Sequence, residues 1–269
     1  MDYRNLFKDK VIIITGAGRS GTTILGKIIG SMEPCYYLFE PSIMKFGGYD
    51  FKNLRATIFE DYWILQIQGR NWNWNEHDDS YWRNYLDGYI DTDRFRAIEE
   101  TRNSKLCIKV TECQQRIGFY DILFPELKAI HIYRDGNDVV DSMVKRGWYS
   151  DKYMRMGYLD HLQNGYPWFL THISGKKWNE YNQYTRCAAV WRSTTETGVD
   201  SDMVQIRYEN LAGYNFDALA SDLGLKISKL TRKHIGSIRK PSKHPDITGS
   251  IQEPEKSRFM ALMNRLEYI

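Results

Sequence analysis

The stretch Gly18-Arg19-Ser20-Gly21-Thr22-Thr23 puts two flexible backbone positions, one cation and three hydroxyls into a single turn. It follows the apolar run Val11-Ile12-Ile13-Ile14. It precedes apolar residues at helical spacing: Ile24, Leu25, Ile28, Ile29 and Met32. A glycine-rich turn leading into a helix aims backbone N–H groups and the positive end of the helix dipole at an anion. Counted from Gly16, the spacing also fits Gly-x-x-x-x-Gly-Lys-Ser/Thr, except that Thr22 stands in the lysine position. The loop therefore reads as a phosphate cradle without the nucleotide-triphosphatase lysine. Its cation, Arg19, lies inside the loop.

A second constellation begins where Ile130-His131-Ile132-Tyr133 ends in Arg134-Asp135-Gly136-Asn137. An arginine at a strand end can fork onto a phosphate. Ser142 and Arg146, four residues apart, share one face of the helix expected from Asn137. Two anion sites at the ends of neighbouring strands suit a nucleotide carrying phosphates at two places.

The elements that must position these residues are legible in outline. Short apolar runs alternating with helical patterns indicate an α/β fold with a P-loop-like parallel sheet. Strands are expected at Val11–Thr15, Lys105–Val110, Ala129–Tyr133 and Met203–Arg207, with a weaker one at Tyr36–Phe39. Helices are expected at Thr22–Met32, Gly118–Phe124, Asn137–Lys145, Tyr184–Glu196, Phe216–Leu223 and Lys256–Leu266. Residues 51–103 and 148–182 break the alternation and are rich in aromatic side chains. They read as insertions over the carboxyl edge of the sheet, where such folds bind ligands. The chain, residues 1–269, reads as one domain carrying these two insertions.

The motifs resemble those of sulfotransferases that use 3'-phosphoadenylyl sulfate (PAPS). Arg19 to Thr23 are similar to that family's 5'-phosphosulfate loop, and Arg134 through Ser142 to its 3'-phosphate motif. Arg207-Tyr208-Glu209-Asn210-Leu211 resembles the family's Arg-Tyr-Glu-Asp-Leu stretch, with Asn210 in place of Asp. The resemblance implies that Tyr208 lies near the adenosine. It is strongest to the Golgi-type branch, which holds the carbohydrate 6-O-sulfotransferases and the protein-tyrosine sulfotransferases. Leu38-Phe39-Glu40-Pro41 resembles the Leu-Tyr-Glu-Pro of the carbohydrate enzymes, and Glu40 falls where the tyrosine enzymes carry a catalytic glutamate. Leu106-Cys107-Ile108-Lys109 resembles their Leu-Cys-x-Lys, whose lysine contacts the transferring group. Arg146 matches a further phosphate-contacting arginine. Lys240 and Ser242, in the basic stretch from Arg239 to Lys243, fall where the family closes a loop over the nucleotide. His131 is a poor match for the catalytic histidine of the cytosolic branch, because it lies inside the strand.

The chemistry asks for the same residue types. Sulfuryl transfer is an in-line displacement through a loose transition state, analogous to phosphoryl transfer. Negative charge grows on the oxygen that leaves with the 5'-phosphate, and a fixed cation there lowers the barrier. Arg19 and Lys109 suit that role. The attacking hydroxyl loses its proton late, and Glu40 is the candidate base. The sulfuryl group needs no divalent metal, and no cysteine or histidine stands at metal-ligand spacing. The expected product is 3'-phosphoadenosine 5'-phosphate (PAP).

The net charge of +3 fits a small anionic ligand better than a nucleic acid. No apolar stretch reaches membrane-spanning length, and the cysteine contexts suit a reducing compartment, so the reading is cytoplasmic, or a soluble catalytic domain if the chain is truncated. Tryptophans at 72, 74, 82, 148 and 168 among polar neighbours favour a glycan acceptor, since sugar C–H faces stack on aromatic rings. A tyrosine, peptide or small-molecule acceptor remains open at this point. So do a P-loop kinase and a non-catalytic nucleotide-binding module. Glu40 also reads as a turn carboxylate, Lys109 as a surface lysine, Tyr208 as a core tyrosine, and Arg134 as a partner of Asp135 or Asp138. Ser142 also reads as a solvated helix serine, the stretch from Arg239 to Lys243 as a solvated basic turn, and the five tryptophans as core filling.

Overall fold

The computed structural model describes residues 8–39, 104–111, 113–114, 117, 120–121, 124–151, 173–239 and 246–269. Five parallel strands form one sheet: β1 (Val11–Thr15), β2 (Cys35–Phe39), β3 (Lys105–Lys109), β4 (Lys128–Tyr133) and β5 (Val204–Arg207). Their order across the sheet is β2-β3-β1-β4-β5. The helices are α1 (Thr22–Gly30), α2 (Gly136–Lys145), α3 (Gly175–Glu180), α4 (Gln183–Val199), α5 (Phe216–Asp222), α6 (Lys229–Gly236) and α7 (Glu255–Arg265). All five expected strands and the helices expected to carry the anion loops are present. The expected helix Gly118–Phe124 lies largely outside the described residues.

The apolar character of β1 follows from its place at the centre. All five of its residues are buried, as a strand covered by helices on both faces requires. Ile12, Ile14, Ile130, Ile132 and Ile206 point into a cluster with Leu25, Ile28 and Ile29 of α1 and Phe216 and Leu219 of α5. A second cluster joins Val139, Val140 and Met143 of α2 to Trp191 of α4 and Phe259 and Met263 of α7. The described edges of the second expected insertion contribute to this core rather than to a ligand surface. Tyr149, Ile173, Trp178 and Tyr181 are buried, and Trp148 packs against them. Trp72, Trp74, Trp82, Trp168 and the segment 51–103 lie outside the described residues.

Register brings the strand ends into line. Thr15 pairs with His131, Tyr133 with Arg207, and Phe39 with Lys109. The chain leaves β1 toward β2 on one side and later crosses to β4 on the other. The switch point, where open parallel sheets bind ligands, therefore falls between β1 and β4.

His131 occupies the closely packed face of β4. A Cβ at Gly198 would run into its ring, so only a glycine lets α4 lie this close. Its Nδ1 is 2.9 Å from Gln205 Oε1, and Nε2 is buried without a partner among the described residues. Burial lowers its pKa from 6.5 to about 4, against the opposing pull of the Gln205 bond. The imidazole is a neutral packing group, in keeping with its position inside the strand. The unfolded chain takes up this proton near pH 6.5 and the folded chain only near 4, so folding loses stability as pH falls through that window. The whole effect is about 3 kcal/mol. In urea titrations, His131→Phe should show a fall in stability from pH 7 to 4.5 that is about 2 kcal/mol smaller than in the parent. An equal fall in both proteins would refute this account of His131.

Candidate active site

The loop after β1 turns tightly. Arg19 has φ 73° and Gly21 φ 97°, both in the left-handed region. A non-glycine residue held there costs of order 1–3 kcal/mol, a strain that clusters at functional sites. Gly21 meets a second constraint, because a Cβ on it would collide with the Tyr208 ring. Gly18, Ser20 and Thr22 are buried, while Thr23 is exposed. Gly21 caps α1 without a side-chain hydrogen bond, and the first turn holds no acidic residue. The initial N–H groups of α1 are thus left to a ligand. Ser20 Oγ is buried and has no hydrogen-bond partner among the described residues. A buried hydroxyl in that condition is costly unless something else satisfies it.

Across the switch point, β4 delivers Arg134 and α2 delivers Ser142 and Arg146. Arg19 Nε donates to Ser142 Oγ at 3.0 Å, joining two segments 123 residues apart. Burial lowers the Arg19 pKa, and repulsion from Arg146 and then Arg134 lowers it further. Three guanidinium groups therefore share one region, and an anion with several charges would relieve their repulsion.

Arg134 is held from two sides. Its Nη2 and Nε contact Asp138 Oδ2 at 2.7 and 3.2 Å. Its guanidinium carbon lies 4.7 Å above the Tyr208 ring. The pairing with Asp138, one of the two readings of this arginine, is real, yet it leaves the Nη1 edge unused by that carboxylate. Tyr208 touches Gly21 on the first loop and Arg134 on the second, and its hydroxyl donates to the Arg239 carbonyl at 3.4 Å. It stands at the junction between the two loops, half-buried and packed against the core cluster below them.

Lys109 closes the other half of the sheet edge. It is 2% exposed, and its Nζ sits 4.8 Å over the ring of Phe39. It is a buried strand-end lysine, not a surface one. Phe39 itself is 47% exposed. Glu40 follows Phe39 in sequence and lies outside the described residues, as do Lys240 and Ser242. The structure thus brings Arg19, Arg134, Ser142, Arg146 and Tyr208 together, and puts Lys109 at the same sheet edge, one strand beyond β1.

Sequence reasoning missed the groups that hold the turn after β4: Trp191, whose Nε1 donates to the Arg134 carbonyl, Glu209, which accepts from the Asp135 amide, and Tyr268, which donates to Glu209. Glu209 was in view as part of the Arg207–Leu211 stretch, but nothing local marks its partners. Among the described residues no cluster of three or more His, Cys, Asp or Glu could hold a metal ion. No described helix is long and apolar enough to cross a membrane. All four cysteines carry free thiols.

Fold and charge define a class first: a helix-flanked parallel sheet with convergent cations and an uncapped helix start at the carboxyl ends of its central strands. Residues 11–219 match the sequence profile of the Sulfotransferase family, and the chain belongs to that family. No match was found among curated protein sequences. Solved structures that share the fold include two sulfotransferase domains. The sulfotransferase domain from the Synechococcus PCC 7002 olefin synthase superposes with a TM-score of 0.53 at 14% identity, covering 96% of this chain and 94% of that one. The sulfotransferase domain from the curacin biosynthetic pathway gives 0.54 at 17% identity, covering 96% and 97%.

Proposed function

We propose that the chain transfers a sulfuryl group from PAPS to a hydroxyl on a carbohydrate, with residues 1–269 acting as one domain of the Golgi-type kind. The observation that carries this reading is the Arg19–Ser142 bond with Arg134 and Arg146 beside it. It joins two anion-binding segments that a donor charged at both ends would occupy together.

The roles divide as follows. Gly18, Ser20, Gly21, Thr22, Thr23 and the start of α1 receive the 5'-phosphosulfate end, where the orphaned Ser20 hydroxyl gains its partner. Arg134, Ser142 and Arg146 receive the 3'-phosphate, and Tyr208 borders the adenosine. Lys240 and Ser242 belong to the segment that closes over the nucleotide. PAPS supplies the sulfuryl group, and PAP is left as product. Arg19 and Lys109 offset the charge that grows on the departing oxygen. Burial strengthens Lys109 in that role, because a cation in a low-dielectric setting acts on nearby charge with less screening. Glu40 takes the proton of the attacking hydroxyl. The exposed Phe39 ring beside Lys109 offers a face for a sugar. The free thiols suit a reducing, cytoplasmic compartment.

The direct test is transfer from labelled PAPS across a panel of glycans, peptides and phenols. Labelled glycan supports the reading; labelled peptide or phenol alone would move the acceptor to the rival class. Failure of every acceptor, together with no PAP binding, would overturn it. Preference for magnesium ATP over PAP would favour a kinase. For the 3'-phosphate assignment, Arg134→Ala should weaken PAP binding about 10- to 100-fold, the range for hydrogen bonds to charged groups. Calorimetric titration showing unchanged PAP affinity would contradict it.

A further inference from the structure

We infer that the C-terminal segment, beyond the stretch that matches the family, is a positioning element of the 3'-phosphate site, acting through Tyr268, Glu209 and Met263 on the turn that carries Arg134. This rests on the donor reading above. The family match ends at residue 219, so nothing in it accounts for the last fifty residues.

The turn from β4 into α2 is held group by group. The Arg134 carbonyl accepts from Trp191 Nε1 at 3.1 Å. The Asp135 amide donates to Glu209 Oε1 at 3.1 Å, and the Gly136 amide to Met263 Sδ at 3.3 Å. Asn137 Oδ1 accepts from the Ile247 amide at 3.3 Å. Gly136 also lies flat against Phe259 and Met263, where any Cβ would meet both. Consecutive residues 134–137 are thus fixed from outside the turn, two of them directly by residues 247–263.

Tyr268 completes the arrangement. Its hydroxyl donates to Glu209 Oε2 at 2.9 Å, and the Arg207 guanidinium stacks 4.0 Å over its ring. Burial, then the charge of Glu209, raise the Tyr268 pKa, so the hydroxyl stays a donor at all working pH values. Glu209 therefore has one oxygen on the Arg134 turn and the other on the C-terminal tail, with Arg207 Nε at the longer distance of 3.5 Å from that second oxygen. A carboxylate fixed at both ends holds its amide partner in one place. Without the Tyr268 hydroxyl that second oxygen keeps only the longer Arg207 contact, so the carboxylate is held less firmly and the arginine one residue from its amide partner moves with it. Placing a phosphate-binding arginine to within a fraction of an ångström governs how much of its bond energy is realised.

The test separates positioning from folding by comparing PAP with adenosine 5'-phosphate, which lacks the 3'-phosphate. Both nucleotides are titrated calorimetrically into the parent, into Tyr268→Phe and into Arg265→Ala. Phe keeps the ring under Arg207 and removes only the hydroxyl. Arg265, the exposed last residue of α7, pairs with Asp200 beyond the end of α4 and serves as the control, since exposed pairs contribute little. Tyr268→Phe should weaken PAP about fivefold, the worth of a single hydrogen bond. Adenosine 5'-phosphate should change less than about twofold, and Arg265→Ala should alter neither. Equal loss for both nucleotides, or no loss for either, overturns the inference. If Tyr268→Phe does not fold, Met263→Leu keeps the volume, removes the sulfur acceptor, and is held to the same PAP-selective loss. A parent protein that binds PAP no better than adenosine 5'-phosphate would instead overturn the donor reading itself, and this inference with it.

Discussion

Glu40→Gln is expected to reduce turnover about 10²–10⁴-fold while PAP affinity stays within about twofold, which is the usual worth of a positioned general base. Gln keeps the shape of the side chain and removes its ability to accept a proton as an anion. The motive is placement along the chain. Glu40 directly follows Phe39, and Phe39 pairs with Lys109, a buried cation at the sheet edge that holds the anion loop. Steady-state rates and PAP titrations on the same preparation separate the two effects. A variant with full activity would remove Glu40 from the base role and return it to the turn-carboxylate reading. Loss of PAP affinity in step with turnover would make it a donor-site residue instead.

The largest stability effect is expected at Glu255. This carboxylate is fully buried at the start of α7. It meets Arg192 of α4 at 2.5 Å through Nε and at 3.4 Å through Nη2. Burial raises the Glu255 pKa, while the Arg192 hydrogen bond and charge work in the other direction. Arg192 has a second partner in Glu196 at 2.8 Å, but that carboxylate is about half exposed. Removing one member of a buried pair costs about 3–5 kcal/mol, and the half-exposed Glu196 offsets only part of the Arg192 charge. Glu255→Ala should therefore lose about that much in urea unfolding, a large part of a typical domain's stability. A loss below about 1 kcal/mol would mean that Glu196 and water suffice for Arg192.

The strands were the most legible elements, for a physical reason. β1 is covered on both faces, so it must be apolar throughout, and Val11-Ile12-Ile13-Ile14 announces it. The helices with a deep buried stripe, α1, α2 and α4, were equally readable. The helix α6 was not, because only Thr231 on it is buried and Leu230 is 52% exposed. A helix that buries so little leaves no apolar period to detect. Its Ser228–Thr231 capping box was the available signal. The short α3 hid inside a segment read as an insertion, since six residues give less than two turns of pattern and its one anchor, Trp178, resembled the aromatic residues around it.

By itself the sequence determined the chemistry-bearing types and their spacing: the loop without its lysine, Arg134 at a strand end, Ser142 and Arg146 on one helical face, and Lys109 closing a strand. These are local patterns, written over a few residues. Only the tertiary structure decided which of them meet. It brought Arg19 onto Ser142, laid Tyr208 between Gly21 and Arg134, buried Lys109 against Phe39, and tied the Arg134 turn to Met263 and, through Glu209, to Tyr268. Those contacts span dozens to more than a hundred residues. They depend on strand order and helix packing, which no window of the sequence contains.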